Sequence, residues 1–362
     1  MPVFLSIIIA LTLALTSNIW TPLEQKAYDC RLKIIKHLGM YRSNPSGKIV
    51  VVGMEENDIQ KEKPLIFWYP DIGKFLMKMK EYNVKVVGLD LIPIHSLGQK
   101  IKNAARSIKD LQFDKASDQF LDQLGQAADS AIIRPLVETS DGIHFVQAIT
   151  PAHLPFYYPV LGFTKNVTVA SVNLLPDNDN IIRKQWLTEK GRPDAFSYAL
   201  YHRVTGKGSD TDSIFINYLL MAKIPYYSFR EVMAGKVDKQ AFAGKAVVLG
   251  YISKSEDIHP TPLSYVSGTM LQAVALETLL CNKLFYELNY VSWICLLFVI
   301  TGIGYMASVS WNPVRSFLVI LAMMAAYLMI NLLSLLNGQI LPVFPHVFSP
   351  LLLFMTIYPY RS

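Results

Sequence analysis

Hydrophobic positions change their spacing twice along the chain, and the changes divide it into three parts. Residues 3–20 are predominantly apolar and free of Asp, Glu, Lys and Arg, close to the ~20 residues that cross a hydrocarbon core. No basic residue precedes them and no small-x-small cleavage site follows, so residues 1–20 read as an uncleaved membrane anchor rather than a signal peptide. Residues 21–42 then mix Leu23, Ala27, Leu32, Ile34 and Ile35 with Lys and Arg, the pattern of an amphipathic helix beside the membrane.

From there to residue 288 the pattern alternates between strand and helix. Short apolar runs bounded by glycine or polar residues read as buried strands at 47–53 (GKIVVVG), 84–91 (VKVVGLDL), 162–174 (GFTKNVTVASVNL), 214–218 (IFINY) and 244–250 (GKAVVLG). Two shorter ones are expected around Ile132 and at 143–146. Helical spacing appears at 71–82 (Ile72, Phe75, Leu76, Met79), at 196–204, at 229–234 and from Met270 (Leu271, Val274, Ala275, Thr278, Leu279). Residues 96–130 are polar, with a helical thread through Phe113, Phe120, Leu121 and Leu124. The motifs at 47–53 and 244–250 share Gly-Lys, an apolar run and Gly, each followed by an acidic loop ending Asp58-Ile59 and Asp257-Ile258; parallel strands of one sheet look alike in this way. The fold class is α/β, a mixed but mostly parallel sheet with flanking helices.

The last part, residues 289–362, turns apolar again. Three spans are expected at 291–310, 315–336 and 340–358, with Trp293, Trp311, Tyr358 and Tyr360 at their ends as interfacial aromatics. Pro342, Pro345 and Pro350 predict a kinked final helix. The architecture is therefore one N-terminal anchor, a domain at 21–288 and three C-terminal transmembrane helices.

Charge sharpens this division. Of 34 Lys+Arg and 28 Asp+Glu, giving a net +6, only Arg315 and Arg361 lie beyond residue 288. The remaining charges are dispersed, without the basic stripe that phosphate contacts need, which excludes nucleic acid as a partner. The 52% hydrophobic content is high for a soluble enzyme. The three cysteines, Cys30, Cys281 and Cys295, show no metal-ligand spacing, and no metal or cofactor is expected. Cys30 and Cys281 stand near the two ends of the domain, where either a disulfide or two unrelated thiols fits.

No Walker A loop, GxSxG, HExxH or GxGxxG motif is present, and no catalytic residue is assigned. The candidate site is a ligand-binding set, Asp90, His95, Asp257 and His259, each just beyond the C-terminal end of an expected strand, where parallel sheets bind ligands. Trp68, within Phe67-Trp68-Tyr69, could line the same pocket. The loop carrying Asp257 also holds Lys254 and Glu256, and Pro260-Thr261-Pro262 reads as a stiff connector. His346 is taken as interfacial or packed.

The run from Gly250 through the charged loop, Thr261-Pro262-Leu263 and Gly268 to Glu277-Thr278-Leu279-Leu280 resembles the C-terminal signature of the second CHASE-type sensor domain (cyclase/histidine-kinase-associated sensing extracellular). Further short motifs fit the same family: Tyr28-Asp29-x-Arg31 after the anchor, Asp90 ending its strand, Asp177-x-Asp179 with Ile182-Arg183, and Pro225 to Ser228. Asp71 departs from it, standing where the family has Arg after Pro70, and Asn180 stands for Gly. The resemblance implies a domain outside the cytoplasm that senses a small ligand or envelope component and relays a signal through its membrane helices. No effector domain follows Tyr358, so a separate cytoplasmic or membrane signalling partner is expected, and a homodimer would suit such a sensor.

Arg315 and Arg361 on one side place both termini in the cytoplasm and the domain on the periplasmic or extracellular side of a bacterial inner membrane, whereas Lys26, Arg31, Lys33 and Lys36 argue the reverse. Long domains are translocated largely regardless of charge, and the resemblance favours the outside. The rival readings are a structural or assembly subunit of an envelope complex, and an anchored enzyme using the Asp90/Asp257/His259 crevice.

Overall fold

The computed structural model describes residues 2–55, 65–107, 115–252 and 257–360. It opens with α1 (Pro2–Leu15) and α2 (Ser17–His37), whose axes differ by 79° across the break. The α/β part then runs β1 (Ile49–Glu55), α3 (Tyr69–Glu81), β2 (Val86–Asp90), α4 (Leu97–Ser107), α5 (Lys115–Ser140), β3 (His144–Ile149) and β4 (Val167–Ser171). It continues with β5 (Lys184–Trp186), α6 (Phe196–Thr205), β6 (Ser213–Phe215), β7 (Tyr226–Ser228), α7 (Phe229–Met233) and β8 (Ala246–Ile252). A hairpin, β9 (Ile258–Pro260) and β10 (Tyr265–Ser267), leads into α8 (Gly268–Leu280). The apolar end comprises β11 (Tyr286–Glu287), α9 (Tyr290–Ser310), α10 (Pro313–Leu336), β12 (Gln339–Ile340) and α11 (Phe344–Ile357).

Six strands form one parallel sheet in the order β4-β3-β2-β8-β1-β7. Successive side chains point to opposite faces, and both faces are covered. Val50, Val52, Val87, Leu89, Val247 and Leu249 pack with Ile72 and Phe75 of α3 and Ile132 and Leu136 of α5. On the other side Ile49, Val51, Val86 and Val248 meet Phe196 and Leu200 of α6 and Leu271 and Val274 of α8. Double burial explains why these strands read as continuous apolar runs, each buried side chain adding ~1.5–3 kcal/mol of transfer free energy. The two Gly-Lys motifs lie side by side in the sheet, Gly53 opposite Gly250. Gly250 is required by close approach: a side chain there would collide with Thr269 in the first turn of α8.

Four expectations need correction. Ile132 lies inside α5, not in a strand, because Ile132 and Leu136 are one helical turn apart and both bury under the sheet. The connector after His259 is half of a hairpin: β9 and β10 pair antiparallel, with Pro260 opposite Tyr265. The N-terminal apolar run breaks near Thr16, whose hydroxyl bonds back to the Thr12 carbonyl at 2.7 Å, so this segment is a bent pair of helices rather than one straight helix. Last, two C-terminal helices, not three, are long enough to span. At 1.5 Å per residue, α9 (21 residues) and α10 (24 residues) rise about 32 and 36 Å, whereas the 14 residues of α11 rise about 21 Å against a core of about 30 Å. The missing length is in residues 339–343, where β12 pairs with β11 and prolines interrupt the helix.

Cys30, Cys281 and Cys295 are all free thiols. Cys281 sits 3.3 Å from Glu277 Oε1, and burial pushes its thiol up to about 11. Asp58, Ile59, Lys254, Glu256 and Arg361 lie outside the described residues.

Candidate functional site

The C-terminal ends of β2 and β8 open onto a crevice of about 620 Å³ whose lining includes Asp90, Asp257, His259, Thr150, Asn173 and Gln272. Asp90 is the last residue of β2, opposite Gly250. Burial pushes its carboxyl up to about 6; the Thr269 hydroxyl opposes the shift by bonding to it, Asp257 adds to it and His259 subtracts. Asp257 precedes β9 with φ of 50°, a left-handed conformation that Asp tolerates. Its carbonyl accepts from Gly268 N–H at 3.0 Å, and its Oδ1 lies 3.0 Å from His259 Nε2. Gln272 is held from behind: Gln185 Nε2 donates to its Oε1, and the Ser197 hydroxyl donates to Gln185 Oε1, both at 2.9 Å. The crevice thus presents a carboxyl held above its ordinary range, an Asp–His pair and the fixed amide of Gln272. That set suits recognition of a polar molecule.

Three of the five residues singled out in the sequence converge here; two do not. Trp68 is 5% exposed and packs edge-on against Phe229 with ring centroids 5.9 Å apart, as part of the α3 side of the core. His95 is exposed on the loop after β2, where its carbonyl accepts from the Tyr69 hydroxyl at 2.8 Å. Proximity to a strand end did not separate residues facing the crevice from those facing the neighbouring loops.

What residue-by-residue reading missed is the partner of Arg183. This side chain is 1% exposed. Its Nε and Nη2 donate to the two oxygens of Asp29 at 2.9 and 2.7 Å, while Nη1 and Nη2 reach Asp177 and Asp179 at 2.7 to 2.9 Å. Burial alone would pull the guanidinium down, but the three carboxylates outweigh it and hold it above its ordinary value. The Arg183 hydrogen bonds hold Asp179 below the usual carboxylate range. Tyr28-Asp29 and Asp177-x-Asp179…Arg183 were visible as separate motifs; nothing in their spacing joined them.

The turn carrying these aspartates also borders the crevice. Asn180 and Ile182 line it, Ile182 N–H donates to the Pro260 carbonyl at 2.9 Å, and Tyr218 donates to the Ile182 carbonyl at 2.8 Å. Asp29 belongs to α2, which is tied in turn to the apolar helices. Glu24 accepts from the N–H groups of Val343 and Phe344, capping α11 at 2.7 to 2.9 Å. Arg31 bonds to Asn331 of α10 and, at 3.0 Å, to the Leu341 carbonyl. Crevice, turn, α2 and the apolar helices form one connected series of polar contacts.

The family described as the CHASE2 domain matches residues 5–307. The chain belongs to the CHASE2 domain family. The family is one of CHASE-type extracellular sensor domains, and the match runs from α1 through nearly all of α9. CHASE2 is a sensory domain rather than a catalytic one. No curated protein and no solved structure matches the chain. Among the described residues no three His, Cys, Asp or Glu are grouped to hold a metal.

Proposed function

We propose that this CHASE2 protein is a membrane-bound sensor whose crevice binds a polar small ligand or envelope component and whose α2 relays the bound state to its apolar helices. The observation that carries the reading is Arg183. It joins the 177–183 turn, which borders the crevice, to Asp29 on a helix that also holds α10 and α11. A ligand that draws Asn180 or Asp257 inward favours one of two placements of that turn, and the guanidinium passes the difference to α2. A separate kinase, cyclase or phosphodiesterase, facing the membrane or the cytoplasm, then reads the helices; a homodimer is a natural frame for such a readout.

The arrangement of α9 and α10 supports a domain on the outer side of a bacterial inner membrane. β11 precedes α9 and β12 follows α10, and the two pair in parallel. The hairpin therefore begins and ends on the domain's side and turns at Trp311–Pro313 on the other, next to Arg315. The test is a detergent pull-down of the intact protein with mass spectrometry, repeated with Asp29→Asn. The reading expects a signalling enzyme in the eluate, released or retained differently by the variant. Stoichiometric recovery of envelope-assembly components, indifferent to the variant, would replace it with a structural subunit.

A further inference from the structure

A second cavity, of about 510 Å³, lies where α2 meets the first turn of α9 and the start of α11. Its walls hold six charged side chains, and each is engaged. Arg183 meets its three carboxylates, Asp177 included; Lys184 meets Glu287 at 2.9 Å; Glu24 caps α11; Arg31 bonds to Asn331 and the Leu341 carbonyl. Three are positive and three negative, so the lining carries no net charge to favour a charged ligand.

Two lining groups have no partner among the described residues: the hydroxyl of Tyr28, a side chain 3% exposed, and Nε1 of Trp20. Buried polar atoms without partners are rare and call for an explanation. Indole N–H is a donor only, and a phenol O–H donates readily, so both ask for acceptors. The Tyr28 ring is fixed by Phe215 and Phe285, with centroids 5.5 and 6.2 Å away, and the Trp20 ring stacks on Phe348 at 5.7 Å; neither can easily turn to find a protein acceptor. Asn18, Thr21 and Gln25 add neutral polar groups along α2, and the rest of the wall is aromatic or apolar, notably Tyr290 and Trp293, stacked at 6.0 Å. These two open a membrane-length helix, the level at which aromatic side chains meet the headgroup boundary.

From these observations we infer that the cavity binds a neutral, membrane-soluble molecule through carbonyl acceptors placed against Tyr28 O–H and Trp20 Nε1–H. Two sources share that chemistry, a lipophilic quinone ring and the ester groups of a neutral glycerolipid. Arg183 and Arg31 line the same cavity, so occupancy touches both connections of α2 from the membrane side, independently of the crevice.

The experiment uses the full chain in maltoside detergent and native mass spectrometry. A decyl-substituted benzoquinone and dioctanoylglycerol are titrated separately, with dioctanoyl phosphatidic acid as the anionic comparison. A saturable single adduct with the quinone or the diacylglycerol is expected, and whichever binds names the source. Tyr28→Phe with Trp20→Phe keeps the rings, removes both donors and should weaken binding about tenfold, the effect of one or two lost hydrogen bonds. Trp186→Phe, at an exposed site away from the cavity, should leave binding unchanged. The unfolding temperature of Tyr28→Phe should not fall, because the hydroxyl it lacks has no protein partner. No saturable adduct with either neutral probe, binding unaffected by the double variant, or preference for phosphatidic acid would overturn the inference.

Discussion

Asp29 receives both Nε and Nη2 of Arg183, at 2.9 and 2.7 Å, across 154 residues of sequence. The fork-to-carboxylate match fixes the angle between α2 and the 177–183 turn as well as their distance. Removing the guanidinium leaves three carboxylates facing one another at a mostly buried site. Arg183→Ala should therefore lower stability by about 3–5 kcal/mol, as for other broken buried pairs. Arg183→Lys should recover only part, because a point charge cannot serve three carboxylates with the same geometry. Thermal unfolding of the three proteins in one detergent decides this.

Asp90 gives a pH dependence with a definite sign. Its folded pKa of about 6 lies above the ordinary 3.8, so the folded state holds a proton that the unfolded chain has released. The resulting stabilisation is full below pH 4 and is lost as pH rises through about 6, a change of about 1–3 kcal/mol. Asp90→Asn should flatten this part of the profile and be the more stable protein at pH 8. Unfolding midpoints at pH 4.5 and 8 test it, and an unchanged difference between the two pH values in the variant would count against the assignment.

Glu24 supplies acceptors to the first N–H groups of α11, at Val343 and Phe344. Glu24→Ala removes the cap, worth about 0.5–2 kcal/mol. Hydrogen exchange at these two amides should accelerate by roughly 2- to 30-fold, while α9 amides remain protected.

At Gly250 even one methyl group would press on Thr269. Gly250→Ala should cost about 1–3 kcal/mol through overpacking and shift α8 away from β8. Adding Thr269→Ala, which removes both the hydroxyl and the methyl group at the contact, should restore part of the loss in the same melting assay.

The parallel pairing of β11 and β12 sets the topology of the helical hairpin. With the native cysteines replaced by Ser, Asn337→Cys should react with an impermeant maleimide in intact cells, and Asn312→Cys only after permeabilisation. The opposite pattern would place the domain in the cytoplasm.

Much of the α/β part was legible because a strand buried on both faces leaves a local record. GKIVVVG and GKAVVLG each carry it, and they pair in register. Helices α3, α6 and α8 were equally readable from Ile72/Phe75/Leu76, the run from Phe196 and the run from Met270. Where a short segment is stabilised from elsewhere, the local signal failed. Ile132 resembles strand but is drawn into a long helix by packing under the sheet, and β9 exists only because β10 lies across from it. The apolar run at 340–358 looked like a span since hydropathy does not register that the Leu341 and Pro342 carbonyls are claimed by Arg31, Tyr327 and Asn331. In the crevice, Asp90, Asp257 and His259 were found from their places at strand ends, a rule that also selected exposed His95. The Arg183–Asp29 pair was out of reach because it is a tertiary contact between two motifs that each look complete.

The short ladder between Tyr286–Glu287 and Gln339–Ile340 gives α9 and α10 a mechanical character. Their domain-side ends are stapled together, while toward the opposite turn they pack on α11, Phe317 lying 5.8 Å from Phe354 between ring centroids and Gly304 against Pro350. A pair of rods joined in this way acts as a lever with its pivot beside the domain. Over the roughly 32 Å length of α9, a tilt of about 5° at the pivot carries the far turn about 3 Å. Under the proposed relay, small rearrangements of the Arg183 guanidinium and its three carboxylates would be magnified with distance, with the largest displacement at the end farthest from the crevice.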